Sequence, residues 1–89
     1  MIARSVTITN RLGLHARAAT RLVNCASAFE AEILIRKGTR TVNGKSIMGV
    51  LTLAAATGTE ITIEASGEDE ASAMKAVVQL ISNRFGEDQ

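Results

Sequence analysis

The chain has 89 residues, is 46% hydrophobic with only 2% aromatic side chains, and carries a formal net charge of +1. That length bounds one small α+β-sized domain over 1–89 with a single, aliphatic core. Near-neutral charge and scarce aromatics argue against a nucleic-acid module, which needs a basic surface or stacking platforms, and no apolar run is long enough to span a bilayer.

The one cysteine, Cys25, excludes an internal disulfide, and one cysteine with one histidine would leave a zinc site to an unusual set of carboxylates. No metal and no cofactor is expected. Absence of disulfides and of a signal-peptide pattern points to the cytoplasm.

Residues 4–9 alternate, with Val6 and Ile8 toward one face and Ser5, Thr7 and Thr9 toward the other, which predicts a half-buried strand. Asn10-Arg11-Leu12-Gly13 closes it as a turn. Over 16–28, Ala19, Leu22, Val23 and Ala26 recur at helical spacing, with Arg17, Arg21 and Asn24 opposite and Cys25 as a small packing residue. Residues 31–37 put Ile33 and Ile35 on one face. Lys37-Gly38 turns the chain and 39–42 returns it as a hairpin.

Asn43-Gly44 is a second turn, and Ser46 suits the N-cap of a short helix over 47–53, with Val50, Leu51 and Ala54 inward. Residues 60–65 alternate again, Ile61, Ile63 and Ala65 inward. Glu68-Asp69-Glu70 opens a last helix, where Met74, Val77, Val78, Ile81 and Phe85 keep register. Arg84 falls in its final turn, Gly86 stops it, and Glu87-Asp88-Gln89 is expected to fray. The order β-α-β-β-α-β-α packs most economically as one four-stranded sheet with every helix on its apolar face.

The only histidine, His15, follows the Gly13 turn and opens the first helix. A neutral imidazole is suited to nucleophilic work near neutral pH. The free amides and partial positive charge of a helix start favour an anion. Arg17 adds a planar donor fork. Together these residue types can hold a phosphoryl group on a histidine. By residue type alone, His15 reads equally well as a surface or satisfied core residue.

Two segments, Gly13-Leu14-His15-Ala16-Arg17 and Gly44-Lys45-Ser46-Ile47-Met48, at this separation in so short a chain, resemble the histidine-containing phosphocarrier (HPr) family of the bacterial phosphotransferase system. The resemblance covers essentially the whole chain. It implies an open-faced β-sandwich, an antiparallel sheet in the order 1-4-2-3 with three helices on one face. It implies that His15 is phosphorylated through Nδ1, that Arg17 and the amides of Ala16 and Arg17 steady the phosphate, and that Ser46 is a regulatory site. The implied partners are an enzyme I-type phosphoenzyme, an EIIA-type acceptor and, in some bacteria, a serine kinase or phosphatase acting on Ser46. The chain is then a carrier and not a free-standing enzyme.

Docking is expected from apolar area at Leu14, Thr20, Ile47 and Met48, with Arg17, Arg21 and Lys45 as a basic rim. Leu14 and Ile47 also suit a core, Arg21 and Lys45 also suit plain solvation, and Ser46 also suits a simple cap. An exposed site makes a monomer the expected state.

The family usually has proline where this chain has Ala18. Alanine there keeps good helix propensity. Ala18 and the acidic tail resemble the nitrogen-related branch (NPr), whose relay has a regulatory output. A different class of function, a non-catalytic regulatory or ligand-binding α+β module, would leave His15 incidental.

Overall fold

A computed structural model describes residues 1–88; Gln89, the last residue of the expected frayed tail, lies outside the described residues. The elements are β1 (Ile2–Thr7), α1 (Ala16–Ser27), β2 (Glu32–Lys37), β3 (Arg40–Asn43), α2 (Ile47–Thr52), β4 (Glu60–Ser66) and α3 (Glu70–Ser82), followed by a terminal turn, Arg84–Gly86. The strands form one antiparallel sheet in the order β1-β4-β2-β3.

Register explains the core. Val6 pairs with Ile61, Ile63 with Ile35, and Ala65 with Ile33, so the inward aliphatics of neighbouring strands stack on one face. Against that face α1 buries Ala18, Ala19, Leu22, Val23 and Ala26, α2 buries Val50, and α3 buries Ala73, Met74, Val77 and Ile81. Fully burying a side chain such as Leu22 or Ile63 contributes about 1.5–3 kcal/mol. The other face carries polar pairs, among them Arg36 Nη1 donating to Glu64 at 3.0 Å and Ser5 beside Thr62. This is the two-layer, open-faced α+β sandwich expected from the sequence.

The chain departs from its sequence expectation at three places. β1 begins at Ile2 and ends at Thr7, because pairing with β4 runs from Ile2↔Ala65 to Thr7↔Glu60. Ile8 is buried just past the strand, bonded through its amide to the Thr59 carbonyl at 2.9 Å. α2 stops at Thr52, so helical spacing does not carry to Ala54. Leu53 is buried at 2% exposure, while Ala54 is exposed with φ 51° and turns the chain toward buried Ala55.

The third departure lies after α3. α3 ends at Ser82, and Arg84, Phe85 and Gly86 take φ of 54°, 54° and 79°. Phe85 reaches the core, at 1% exposure, through this left-handed turn and not as a further helical turn. Left-handed backbone costs about 1–2 kcal/mol per non-glycine residue. Burial of the Phe85 ring, about 1.5–3 kcal/mol, is of the same size and opposes it.

Candidate functional site

The turn after β1 is built on a buried amide. Asn10 is fully buried, and its Nδ2 donates to the Gly13 carbonyl at 2.8 Å. Gly13 has φ 67°, and a Cβ at that position would lie 2.5 Å from the Ala55 carbonyl oxygen. Only glycine combines this backbone with such a close approach. Next, Leu14 donates its amide to Ala55 at 2.8 Å and is only 5% exposed. Leu14 is therefore an anchor in the core and not exposed docking area: the chain must press its loop onto the exit of α2, and an apolar side chain there is covered.

This anchoring makes His15 the N-cap residue of α1, with φ −80° and ψ −178°, and its carbonyl accepts from Ala19 at 2.8 Å. The amides of Ala16, Arg17 and Ala18 lie ahead of that first helical bond, where backbone donors have no intrahelical partner. No acidic residue occupies the first turn. Ala18 is completely buried within an intact twelve-residue helix, so the helix start survives without proline.

The His15 side chain is 28% exposed, and its Nε2 lies 2.6 Å from Glu87 Oε2. The other oxygen of Glu87 accepts from Asn10 Nδ2 at 3.0 Å. The Asn10 hydrogen bond, helped by the His15 contact and the nearby Arg17 charge, holds the Glu87 carboxyl below its ordinary 4.5 against the opposing effect of desolvation. An ionised carboxylate only accepts, so Nε2 carries a proton, and in the neutral ring Nδ1 then holds the lone pair. Asn10 faces acceptors with its NH2, which fixes the orientation of its amide. Its Oδ1 has no partner among the described residues.

Glu87 is thus docked, contrary to the fraying expected of it. Nothing in the local spacing connects Glu87 to His15, 72 positions away. The one available signal was Phe85, an aromatic too large to leave in solvent, placed just before Gly86.

An open cleft of about 350 Å³ adjoins the site, lined by Arg11, Leu12, Arg17, Arg21 and residues 86–88. Arg17 is exposed there. Arg21, expected as part of a docking rim, also donates through Nη1 to the Phe85 carbonyl and so holds the tail. Lys45 is half-buried with Nζ on the Phe29 carbonyl at 2.7 Å, and exposed Thr20 bonds back to the Ala16 carbonyl at 2.8 Å.

Ser46 caps α2 as expected, its Oγ accepting from the Gly49 amide at 3.1 Å. Ile47 and Met48 are exposed at 40% and 72%. α1 packs against α2. Ile47 and Met48 open this six-residue helix, and Leu14 of the His15 loop bonds to Ala55 just beyond its other end. Among the described residues no group of three His, Cys, Asp or Glu side chains could hold a metal ion, and no helix is long and apolar enough to cross a membrane.

Comparison with known proteins places this geometry. Residues 2–83 match the PTS-HPr family, described as "PTS HPr component phosphorylation site". The chain is 51% identical over 87 residues to phosphocarrier protein HPr of Neisseria meningitidis, covering 98% of each. It is 48% identical over 87 residues to phosphocarrier protein HPr of Cupriavidus necator, again covering 98% of each. The crystal structure of HPr-C-His from Thermoanaerobacter tengcongensis aligns over 100% of both chains with TM-score 0.96 and 42% identity. Sequence and fold agree along nearly the whole length, and the chain belongs to the HPr family of phosphocarriers of the phosphotransferase system.

Proposed function

We propose that this chain accepts a phosphoryl group on His15 from an enzyme I-type phosphoenzyme and passes it to a histidine of an EIIA-type protein. The observation that carries the reading is His15 itself: it stands at the N-cap position of α1 with Nε2 against the Glu87 carboxylate, an arrangement that leaves the lone pair on Nδ1. In the transfer, the Nδ1 lone pair attacks phosphorus in line. The bond from phosphorus to the donor imidazole breaks, and its electron pair returns to that ring. Phosphoryl transfer asks the protein mainly for positioning and charge stabilisation. The amides of Ala16 and Arg17, the α1 dipole and the Arg17 guanidinium supply it.

Ile47 and Met48 are the apolar part of the docking surface in this reading, with Thr20, Arg17, Arg21 and Lys45 around it. Exposed methionine suits a surface that must accept two unlike partners. Ser46 is the regulatory position, open to a serine kinase and phosphatase. The protein works as a cytoplasmic monomer, in sugar uptake or, as Ala18 and the acidic tail favour, in a nitrogen-related regulatory relay.

The test is intact mass after incubation with phosphoenolpyruvate and a general enzyme I. Wild type should gain one phosphoryl group that acid removes and alkali spares. His15→Ala should gain none while keeping its fold, since His15 adds little to the core. Acid-labile phosphate on that variant would refute the reading.

A further inference from the structure

We propose that Glu87 is a positioning residue for His15: it holds the ring in the tautomer that leaves Nδ1 bare and offsets the positive charge the ring gains when the N–P bond forms. The inference rests on the reading of His15 as the phosphoryl acceptor. The turn Arg84–Gly86 reverses the chain after α3, and buried Phe85 fixes it to the core. Arg21 grips the Phe85 carbonyl from α1, the helix that His15 caps. The carboxylate of Glu87, 11% exposed, then meets His15 Nε2 at 2.6 Å.

The second support comes from Asn10. Its buried Nδ2 is divided between the Gly13 carbonyl and Glu87 Oε1. One amide therefore ties the loop that presents His15 to the group that orients it. When Nδ1 gives its lone pair to phosphorus, the ring becomes cationic, with the proton still on Nε2 against Glu87. Transfer onward to the acceptor returns the ring to neutrality. Nε2 and Nδ1 face different directions, so the carboxylate meets the ring charge while Arg17 and the α1 amides meet the phosphoryl oxygens. A carboxylate that orients a histidine and stabilises its cation is a recurrent device in group transfer.

Asn10 makes the test specific. In Glu87→Gln, the new amide must offer its oxygen to Asn10 Nδ2 and its NH2 to His15, which pushes the ring proton onto Nδ1. The experiment uses the full chain with 15N-labelled histidine, as wild type, Glu87→Gln and Glu87→Ala. It reads the imidazole 15N spectrum without any donor, and the single-turnover rate of acceptance from phosphorylated enzyme I. Wild type should show protonated Nε2. Glu87→Ala should lose that uniform signature and accept about tenfold more slowly. Glu87→Gln should move the proton to Nδ1 and be slower still.

An unchanged ring spectrum in both variants overturns the proposal, even if rates fall, because a docking role alone would leave the ring untouched. Unchanged rates in both variants also overturn it. The spectrum is read on unphosphorylated protein, so it is independent of the His15→Ala result that tests the carrier reading.

Discussion

Arg17 stands two residues into the site, exposed on a cleft whose other walls are Arg11, Arg21 and the docked tail. In the proposed transfer its contribution is directional, because a guanidinium offers a planar fork to phosphoryl oxygens and an ammonium only a point charge. Arg17→Lys should lower single-turnover phosphoryl transfer about tenfold, the loss of one charge-assisted hydrogen bond, and change affinity for phosphorylated enzyme I far less. Rate and affinity measured on the same variant check this, and an unchanged rate would assign Arg17 to plain solvation. Arg21 differs although it lies one helical turn on. With Nη1 on the Phe85 carbonyl, it holds the residues after α3 in place.

At the scale of the element, α2 joins a stability device to the surface proposed for docking. It has only six residues, and its start is closed by Ser46 Oγ on the Gly49 amide. Ser46→Ala should cost about 1 kcal/mol, read as a lower melting temperature. Ser46→Asp keeps an acceptor at the cap and adds an anion that a helix start favours, so its melting temperature should stay near wild type. The same charge sits beside exposed Ile47 and Met48 and should slow acceptance by His15, more at low salt than at high salt. Melting temperature and phosphorylation rate at two ionic strengths separate the two roles. An Asp variant as fast as wild type at low salt would leave Ser46 a cap alone.

At the scale of the whole molecule, Asp69 and Glu87 fasten distant segments. Asp69, at the start of α3, accepts from the amides of Glu30 and Ala31 at 2.9 and 2.8 Å. The Glu30 bond, then the Ala31 bond and the Lys45 charge, hold its carboxyl below the ordinary 3.8, against desolvation. Glu87 fastens the tail and is likewise held below its ordinary 4.5, first by Asn10. A carboxyl whose folded pKa is depressed binds protons more readily when unfolded. Its stabilisation is full above the unfolded pKa and is lost as pH falls through the folded one. The melting temperature should therefore fall as pH drops below the ordinary carboxyl values, 3.8 and 4.5. Asp69→Asn, left with one acceptor for two amides, should melt lower at neutral pH and show a shallower acid decline. Thermal melts of both proteins across that range check the sign; parallel acid profiles would exclude Asp69 as a fastening.

Sequence alone determined whatever depends on near neighbours. The alternation of Ile61, Ile63 and Ala65, the helical recurrence of Ala19, Leu22, Val23 and Ala26, the Ser46 cap and the place of His15 at a helix start all lie within a few residues of chain. Backbone periodicity and capping chemistry act over that same distance. The two short motifs carried the family, and the family carried the strand order. One-sided strands by themselves allow several antiparallel orders that bury the same face. Tertiary structure alone decided which apolar side chains were covered: Leu14 is drawn into the core by its bond to Ala55, and Leu53 takes the place expected of Ala54 once α2 stops short. It alone brought Glu87 to His15 across 72 positions. That contact depends on a left-handed turn, a buried ring and a shared asparagine acting together, and no local pattern encodes a meeting of chain segments so far apart.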